Sequence, residues 1–214
     1  MKKGIWYFDF ISPYAYLQSA IIKKLTGQIF LEPKAILFAG LLNYYGHLGP
    51  AEIPSKRNFV MQQCLWLAKK NNIVLKFPPY HPFNPLPALR LATSCGGDFE
   101  KILKIFNFIW KEGRNIEDPT EFSELSHHLG ISNPQKIINN ETVKLKLRDE
   151  TNLAIANGVF GIPTIITDNQ LFWGFDSNQF LLDYLATPNS FIKSIVSPTQ
   201  NFPFGSVKRK LPQL

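Results

Sequence analysis

The sequence predicts an α/β fold in which one sheet is assembled from two separated stretches of chain, with helices between them. Three observations carry this. Runs rich in β-branched and aromatic residues occur at 5–10 and 28–38 and return at 162–173. Between them, apolar residues recur at helical spacing. The 214 residues are 45% hydrophobic and 18% charged, which allows a sizeable core and excludes a disordered chain.

Residues 5–10 read as the first strand. Ser12-Pro13 then has the form of an N-cap followed by a first helical residue. Leu17, Ala20, Ile21 and Leu25 share one helical face, and Gly27 ends that helix. Residues 28–38 carry the second strand signal; Pro33, which has no N–H, belongs on an edge strand or at a bulge. A right-handed crossover makes the two strands parallel. The middle is helical. Val60, Cys64, Leu67 and Ala68 form one stripe, and the proline-rich KFPPYHPFNPLP at 76–87 is a bend between helices. Phe99, Ile102, Leu103, Phe106, Ile109 and Trp110 form the clearest stripe, opened by Asp98 and closed near Gly113. Asp118-Pro119-Thr120-Glu121 has the capping-box pattern, followed by Phe122, Leu125 and Leu129 and stopped by Gly130. A last long helix is expected over about 141–157, with Gly158 as its left-handed cap. Strands at 162–167 and 171–173 then flank a turn at 168–170, and 176–185 reads as a closing helix.

The net charge of +7 favours anionic partners. Part of it is the cluster Lys208, Arg209 and Lys210, read as a solvated tail. No alternation of aromatic and basic residues builds a nucleic-acid platform, so no nucleic-acid partner is expected. No stretch is long enough to span a bilayer, and Met1-Lys2-Lys3 leads straight into the strand without a secretory pattern. A cytoplasmic protein with no membrane partner is the expectation. The 2 cysteines, Cys64 and Cys95, show neither C-x-x-C nor metal-type spacing, and no metal site is expected. Cys64 falls among apolar helical residues and reads as a packing thiol. His81, His127 and His128 have no ligand spacing. The 18 Phe suggest large apolar contacts, consistent with a subunit interface.

The stretch FDFISPYAYL puts Ser12 at the corner between the first strand and the first helix. As an N-cap, its hydroxyl takes a free N–H of Tyr14 or Ala15, and replacing such a cap by alanine typically costs ~1 kcal/mol. As a chemical tool, it stands where a helix end stabilises negative charge by roughly 0.3–1 kcal/mol. The order β-α-β, helices, β-β-α, with Pro163 just before the third strand, resembles a thioredoxin-like fold interrupted by an all-α helical insertion. In that fold a C-x-x-C motif opens the first helix and faces a cis-proline loop. Here the motif is replaced by Ser12-Pro13-Tyr14-Ala15. Thiol–disulfide exchange needs a protein thiolate, so disulfide oxidoreductase chemistry at this position is excluded. A thiol brought from elsewhere is a different case: the helix end and a donating hydroxyl both lower its pKa from ~8.5.

Four blocks in this order make the resemblance specific: YFDFISPYAYL at 7–17, GPAEIPSKRNF at 49–59, FNPLPALRL at 83–91 and GVFGIPTIITDNQLFWGFD at 158–176. To about Leu185 the chain resembles the 2-hydroxychromene-2-carboxylate isomerase family, kin of the kappa-class glutathione transferases. The resemblance implies a thioredoxin-like domain made of residues 1–50 and 158–200, a helical insertion domain at 51–157 and a basic tail at 201–214. It implies glutathione as cofactor, a small aromatic or electrophilic substrate, and a homodimer. It assigns Ser12 to activation of the glutathione sulfur and the backbone of Ile162 to the cysteinyl unit. Pro163 is expected cis, the alternative being a trans proline opening an edge strand. Lys56 matches a lysine that meets a glutathione carboxylate, or is a solvated charge. Asp176 matches the acid that binds the γ-glutamyl ammonium, or is an N-cap. His47 stands at an asparagine position, as a hydrogen-bond donor to glutathione or as an exposed loop histidine without a role.

Two residues depart from the family pattern. Phe175 replaces a polar residue before the aspartate, and Ser177 replaces an arginine common just after it in the isomerases. Glutathione contacts are thinner by that measure, and one carboxylate-binding group is lost. Tyr14, Tyr16, Tyr44 and Tyr45 read mainly as packing residues, with Tyr44 a candidate to lie over an aromatic substrate; Arg90 reads as a helix-surface charge, or as a basic group near the pocket that suits an anionic substrate. The function implied is a glutathione-dependent isomerase acting on 2-hydroxychromene-2-carboxylate or a similar aromatic carboxylate. A kappa-like transferase conjugating electrophiles and a non-catalytic thioredoxin-like binding module are the alternatives.

Overall fold

Alternation along the first strand builds both faces of the sheet. In β1 (Lys2–Phe8), Trp6 and Phe8 enter one hydrophobic cluster, while Ile5 and Tyr7 join another on the opposite face. β1 pairs in parallel with β2 (Ile29–Ala35) and antiparallel with β3 (Thr164–Thr167), which pairs antiparallel with β4 (Gln170–Trp173). The strand order β2-β1-β3-β4 is the thioredoxin-like arrangement the sequence predicts. β2 is an edge strand, the setting Pro33 requires. The computed structural model describes residues 1–25, 27–200, 202, 203 and 205, with backbone alone for 23 and 24. The cluster Lys208, Arg209 and Lys210 lies outside the described residues.

Helix α1 (Pro13–Leu25) is the crossover between β1 and β2. Between β2 and β3 come α2 (Phe38–Tyr45), α3 (Pro54–Lys70), α4 (Leu86–Ser94), α5 (Phe99–Phe106), α6 (Pro119–His128), α7 (Pro134–Ile138) and α8 (Glu141–Ala156); α9 (Asn178–Ala186) follows β4. The first strand begins and ends earlier than its residue types suggest, because Asp9 and Phe10 already belong to the corner. The second stops at Ala35, and residues 38–45 are helical rather than extended. The turn after β3 uses two residues, Asp168 and Asn169, both at positive φ, with Gln170 already in β4. This suits the right-handed twist of a hairpin.

The larger cluster is shared between sheet and helices. Trp6 stacks on Phe8 at 4.6 Å, Phe10 meets Phe106 at 4.7 Å, and Trp110, Ile102 and Ile105 complete the wall. Each fully buried side chain of this size contributes roughly 1.5–3 kcal/mol. After Phe106 the helix widens into a π turn, Asn107–Lys111, in which Glu112 N–H reaches Asn107 O at 2.9 Å. The wider turn lets Phe108, Ile109 and Trp110 all be buried in succession. Asp98 caps α5 through Lys101 N–H, and Asp118 caps α6 through Thr120 and Glu121 N–H, as their sequence positions predict. Glu121 does not complete the capping box; its carboxylate takes Asn115 N–H and Arg114 instead. Among the described residues no helix is long and apolar enough to cross a membrane.

Candidate active site

Ser12 is buried at the entrance of α1, and its Oγ accepts the Ala15 N–H at 3.2 Å. The hydroxyl is therefore a helix cap. Accepting that bond uses a lone pair and leaves the hydroxyl proton for another acceptor. The first turn of α1 contains no acidic residue, so nothing within it offsets the positive end of the helix.

Every carbonyl through the corner has a donor. Phe8 O takes Ile36 N–H at 3.0 Å, Asp9 O takes Ser12 N–H at 3.2 Å, and Ser12 O takes Tyr16 N–H at 3.2 Å. Phe10 O takes the indole N–H of Trp110 at 2.8 Å, and Ile11 O takes Nε2 of His81 at 2.9 Å. The last two donors come from helical and loop segments more than sixty residues further along the chain. His81 precedes Pro82 through a cis peptide, and its ring stands edge-on to Trp110 at 5.6 Å. Burial holds its pKa below the ordinary value; the bond to Ile11 opposes this and the charge of Arg57 adds to it.

Asp9 lies beneath this corner, fully buried. Its Oδ1 accepts Ile11 N–H at 3.0 Å and its Oδ2 accepts Phe38 N–H at 2.9 Å, capping α2 from a distance. Burial pushes its carboxyl up to about 7, against the support of those N–H groups. An unfolded aspartate titrates near ~3.9. Below that pH both states hold the proton and the contribution is complete. As pH rises from about 4 to about 7 the unfolded chain loses its proton first, so stability falls, and above that the effect is constant. Chemical denaturation across this range is expected to show the decline, and Asp9→Asn to flatten it.

The pairing of Tyr7 with Thr164 brings the residues before β3 to the same end of the sheet as Ser12. The Ile162–Pro163 peptide is cis. Among the described residues neither backbone group of Ile162 has a hydrogen-bond partner within the chain. Pairing of Thr164 with Trp173 places the next loop alongside, where Gly174 N–H reaches Pro163 O at 2.8 Å. The half-exposed Trp173 lies over Gly161 and meets Phe160 edge-on at 5.0 Å. Asp176 is exposed and folds its carboxylate over Gly174, whose φ is +87°. A Cβ on residue 174 would stand 2.5 Å from Asp176 Oδ1. Gly174→Ala is thus expected to displace that carboxylate and to cost about 1–2 kcal/mol of stability through the left-handed backbone, checked by denaturant titration.

The model of the DSBA-like thioredoxin domain family matches residues 5–186. The chain belongs to this family. It is 27% identical over 194 residues to the 2-hydroxychromene-2-carboxylate isomerase of Sphingobium xenophagum, covering 86% of this chain and 99% of that one. It is 24% identical over 199 residues to glutathione S-transferase kappa 1 of Rattus norvegicus, covering 84% and 88%. The solved structure of a 2-hydroxychromene-2-carboxylate isomerase superposes with a TM-score of 0.77 at 22% identity, covering 91% of this chain and 99% of that one, which shows a shared fold.

This chain has no cysteine at the corner, where Ser12-Pro13-Tyr14-Ala15 stands. Its cysteines are both free and lie elsewhere. Cys64 is buried in α3, where burial pushes its thiol up to about 12; burial also raises the half-buried Cys95. Tyr14, on the first turn of α1, donates to Gln63 of α3 and is held neutral chiefly by burial, with Cys64 and Asp176 adding to the effect. Of the sequence-predicted residues, Ser12, Ile162, Pro163 and Asp176 belong to segments that the strand pairings bring toward one end of the sheet. Lys56, exposed on the first turn of α3, and His47, exposed just past the left-handed Gly46, lie on the α2–α3 segment, and no hydrogen bond ties either side chain to that group. Phe175 is turned into the core, and Ser177 Oγ is spent on Gly174 O at 2.9 Å. Tyr44 is exposed and packs edge-on against Tyr45 at 4.9 Å; Arg90 leaves the corner entirely and donates to Ile138 O at 3.0 Å.

Sequence reasoning missed Asp9, His81 and Trp110. A lone acid inside the aromatic run YFDF was a readable signal for Asp9. Trp110 was visible only as part of an apolar stripe, and His81 only as a histidine between prolines.

Proposed function

We propose that this chain is a glutathione-dependent isomerase acting on a 2-hydroxychromene-2-carboxylate or a similar aromatic carboxylate. The observation that carries the reading is the Ser12 corner: a buried hydroxyl with its proton uncommitted, at a helix N-terminus, at the end of the sheet to which the strand pairing also brings Ile162, whose backbone has no partner among the described residues. A tripeptide thiol fits these groups. Glutathione, when bound, would supply a thiolate that adds to the unsaturated carbon of the substrate; with the hemiketal C–O bond broken and the ring open, the former double bond can rotate as a single bond, and loss of the thiolate restores it, with no net oxidation or reduction. The relatives named for this isomerisation and for glutathione transfer support the choice of thiol.

The chain's own residues hold and tune. The hydroxyl of Ser12 donates to the sulfur, and the helix end adds its partial positive charge; both favour thiolate over thiol. Ile162 N–H and C=O extend the tripeptide as an added strand, Asp176 takes its ammonium, and Lys56 takes a carboxylate. Fixing sulfur and substrate together turns a slow encounter into a near-unimolecular step. His47 donates to glutathione or to the substrate.

A kappa-like transferase is the second reading. Ser177 favours it, since this position, where an arginine is common in the isomerases, holds no cation for a substrate carboxylate. Purified protein with glutathione is assayed once with the chromene acid and once with a chlorodinitrobenzene-type electrophile. Turnover of the first alone supports the isomerase, turnover of the second alone the transferase. No detectable heat with millimolar glutathione in calorimetry sinks both and leaves a binding module.

A further inference from the structure

We propose that His81 is a positioning residue for Ser12, acting through the Ile11 carbonyl to fix the direction of the serine hydroxyl. This rests on the reading of Ser12 as the group that activates a bound thiol. Ile11 and Ser12 share one peptide plane. Its N–H is held by Asp9 O at 3.2 Å and its carbonyl by His81 Nε2 at 2.9 Å, so the plane is tied at both ends.

A carbonyl only accepts, which puts the ring proton on Nε2 and leaves Nδ1 as an acceptor. Nδ1 is buried without a donor. The arrangement therefore suits the neutral ring: a second proton would bury an N–H and a positive charge with no acceptor, near the charge of Arg57. The ring has little freedom, lying edge-on to Trp110 at 5.6 Å and to Phe83 at 6.1 Å.

Without this donor the part-buried Ile11 carbonyl loses its partner within the chain and seeks another. Rotation of the Ile11–Ser12 peptide is the shortest route to one. That rotation draws Ser12 N–H off Asp9 O and turns the Cα–Cβ bond of Ser12 with it. The hydroxyl then misses the sulfur, while Ile162, Asp176 and Lys56, on other elements, keep their places. The expected signature is a fall in kcat with little change in the KM for glutathione.

The thiolate absorbance of glutathione bound to the full-length protein, followed against pH, reads this out. The wild type is expected to hold the thiol below its free value of ~8.5. His81→Phe keeps a ring but has no N–H; it is expected to return the thiol toward the free value and to lower kcat roughly tenfold to a hundredfold. His81→Gln, with an amide N–H to offer the carbonyl, is expected to restore both. His81→Met, flexible and without a donor, replaces the phenylalanine variant if that fails to fold. An unchanged thiol and kcat in the donor-less variants, even with a lowered thermal midpoint, overturn the proposal and leave the proposed function standing. An unshifted thiol in the wild type overturns both.

Discussion

Ser12→Ala is expected to lower turnover with glutathione by at least about tenfold near neutral pH while the protein stays folded. The two consequences of the change differ in size. Loss of the cap on Ala15 N–H removes ~1 kcal/mol, a modest part of the roughly 5–15 kcal/mol that holds a domain together. Loss of the hydroxyl donor lets the bound thiol climb by one or two pK units toward ~8.5, and each unit removes about ninety per cent of the thiolate once the thiol titrates above the working pH. Activity therefore falls far more than stability. Ser12→Asp separates the roles: a carboxylate still caps the helix, so stability is kept, but its charge opposes a thiolate and turnover is lost. Steady-state kinetics beside denaturant titration checks both variants. Near-normal rates in Ser12→Ala would reduce this serine to a cap.

Trp110→Ala is expected to be the most destabilising single change considered, at about 3–5 kcal/mol, the range for truncating a large buried aromatic. Trp110 is fully buried, and Phe77, His81 and Phe83 all lie against it. Part of the loss is volume and part is the indole N–H to Phe10 O. Trp110→Phe divides them: most of the ring volume remains, but the Phe10 carbonyl is left without its donor, a loss of about 1–3 kcal/mol. Enough stability survives for the variant to be folded at room temperature, so its kinetics are readable. Turnover is expected to fall along with stability, because the corner that carries Ser12 has lost one of its two distant supports. A Trp110→Phe protein with weakened stability and undiminished kcat would show that the helices support the fold without tuning the site.

What could be read from the sequence, and what could not, divides along local against distant chemistry. The start of α1 was legible because Ser12 and Pro13 are a cap and a first helical residue side by side, and the caps Asp98 and Asp118 were legible for the same reason. The start of α2 was not. Its N-cap position is Leu37, which has no side chain to offer, and the work is done by Asp9 on Phe38 N–H and by Thr151 on Leu37 N–H at 3.0 Å. Both caps come from other elements, so residues 28–38 looked like one long strand. The corner behaves alike. Ser12 was visible because hydroxyl, proline and helix lie together, whereas His81 and Trp110 reach Ile11 and Phe10 across 70 and 100 residues. Phe175 was read as a departure at the binding surface. Its side chain is buried in the core, so the departure changes packing more than it changes the surface a ligand would meet.

The structure of the complex with glutathione locates the borrowed sulfur. The expected complex has the tripeptide's sulfur within hydrogen-bonding distance of Ser12 Oγ, its cysteinyl backbone paired to Ile162 and its ammonium at Asp176. A tripeptide bound elsewhere, or seated here with its sulfur turned away from Ser12, would contradict it.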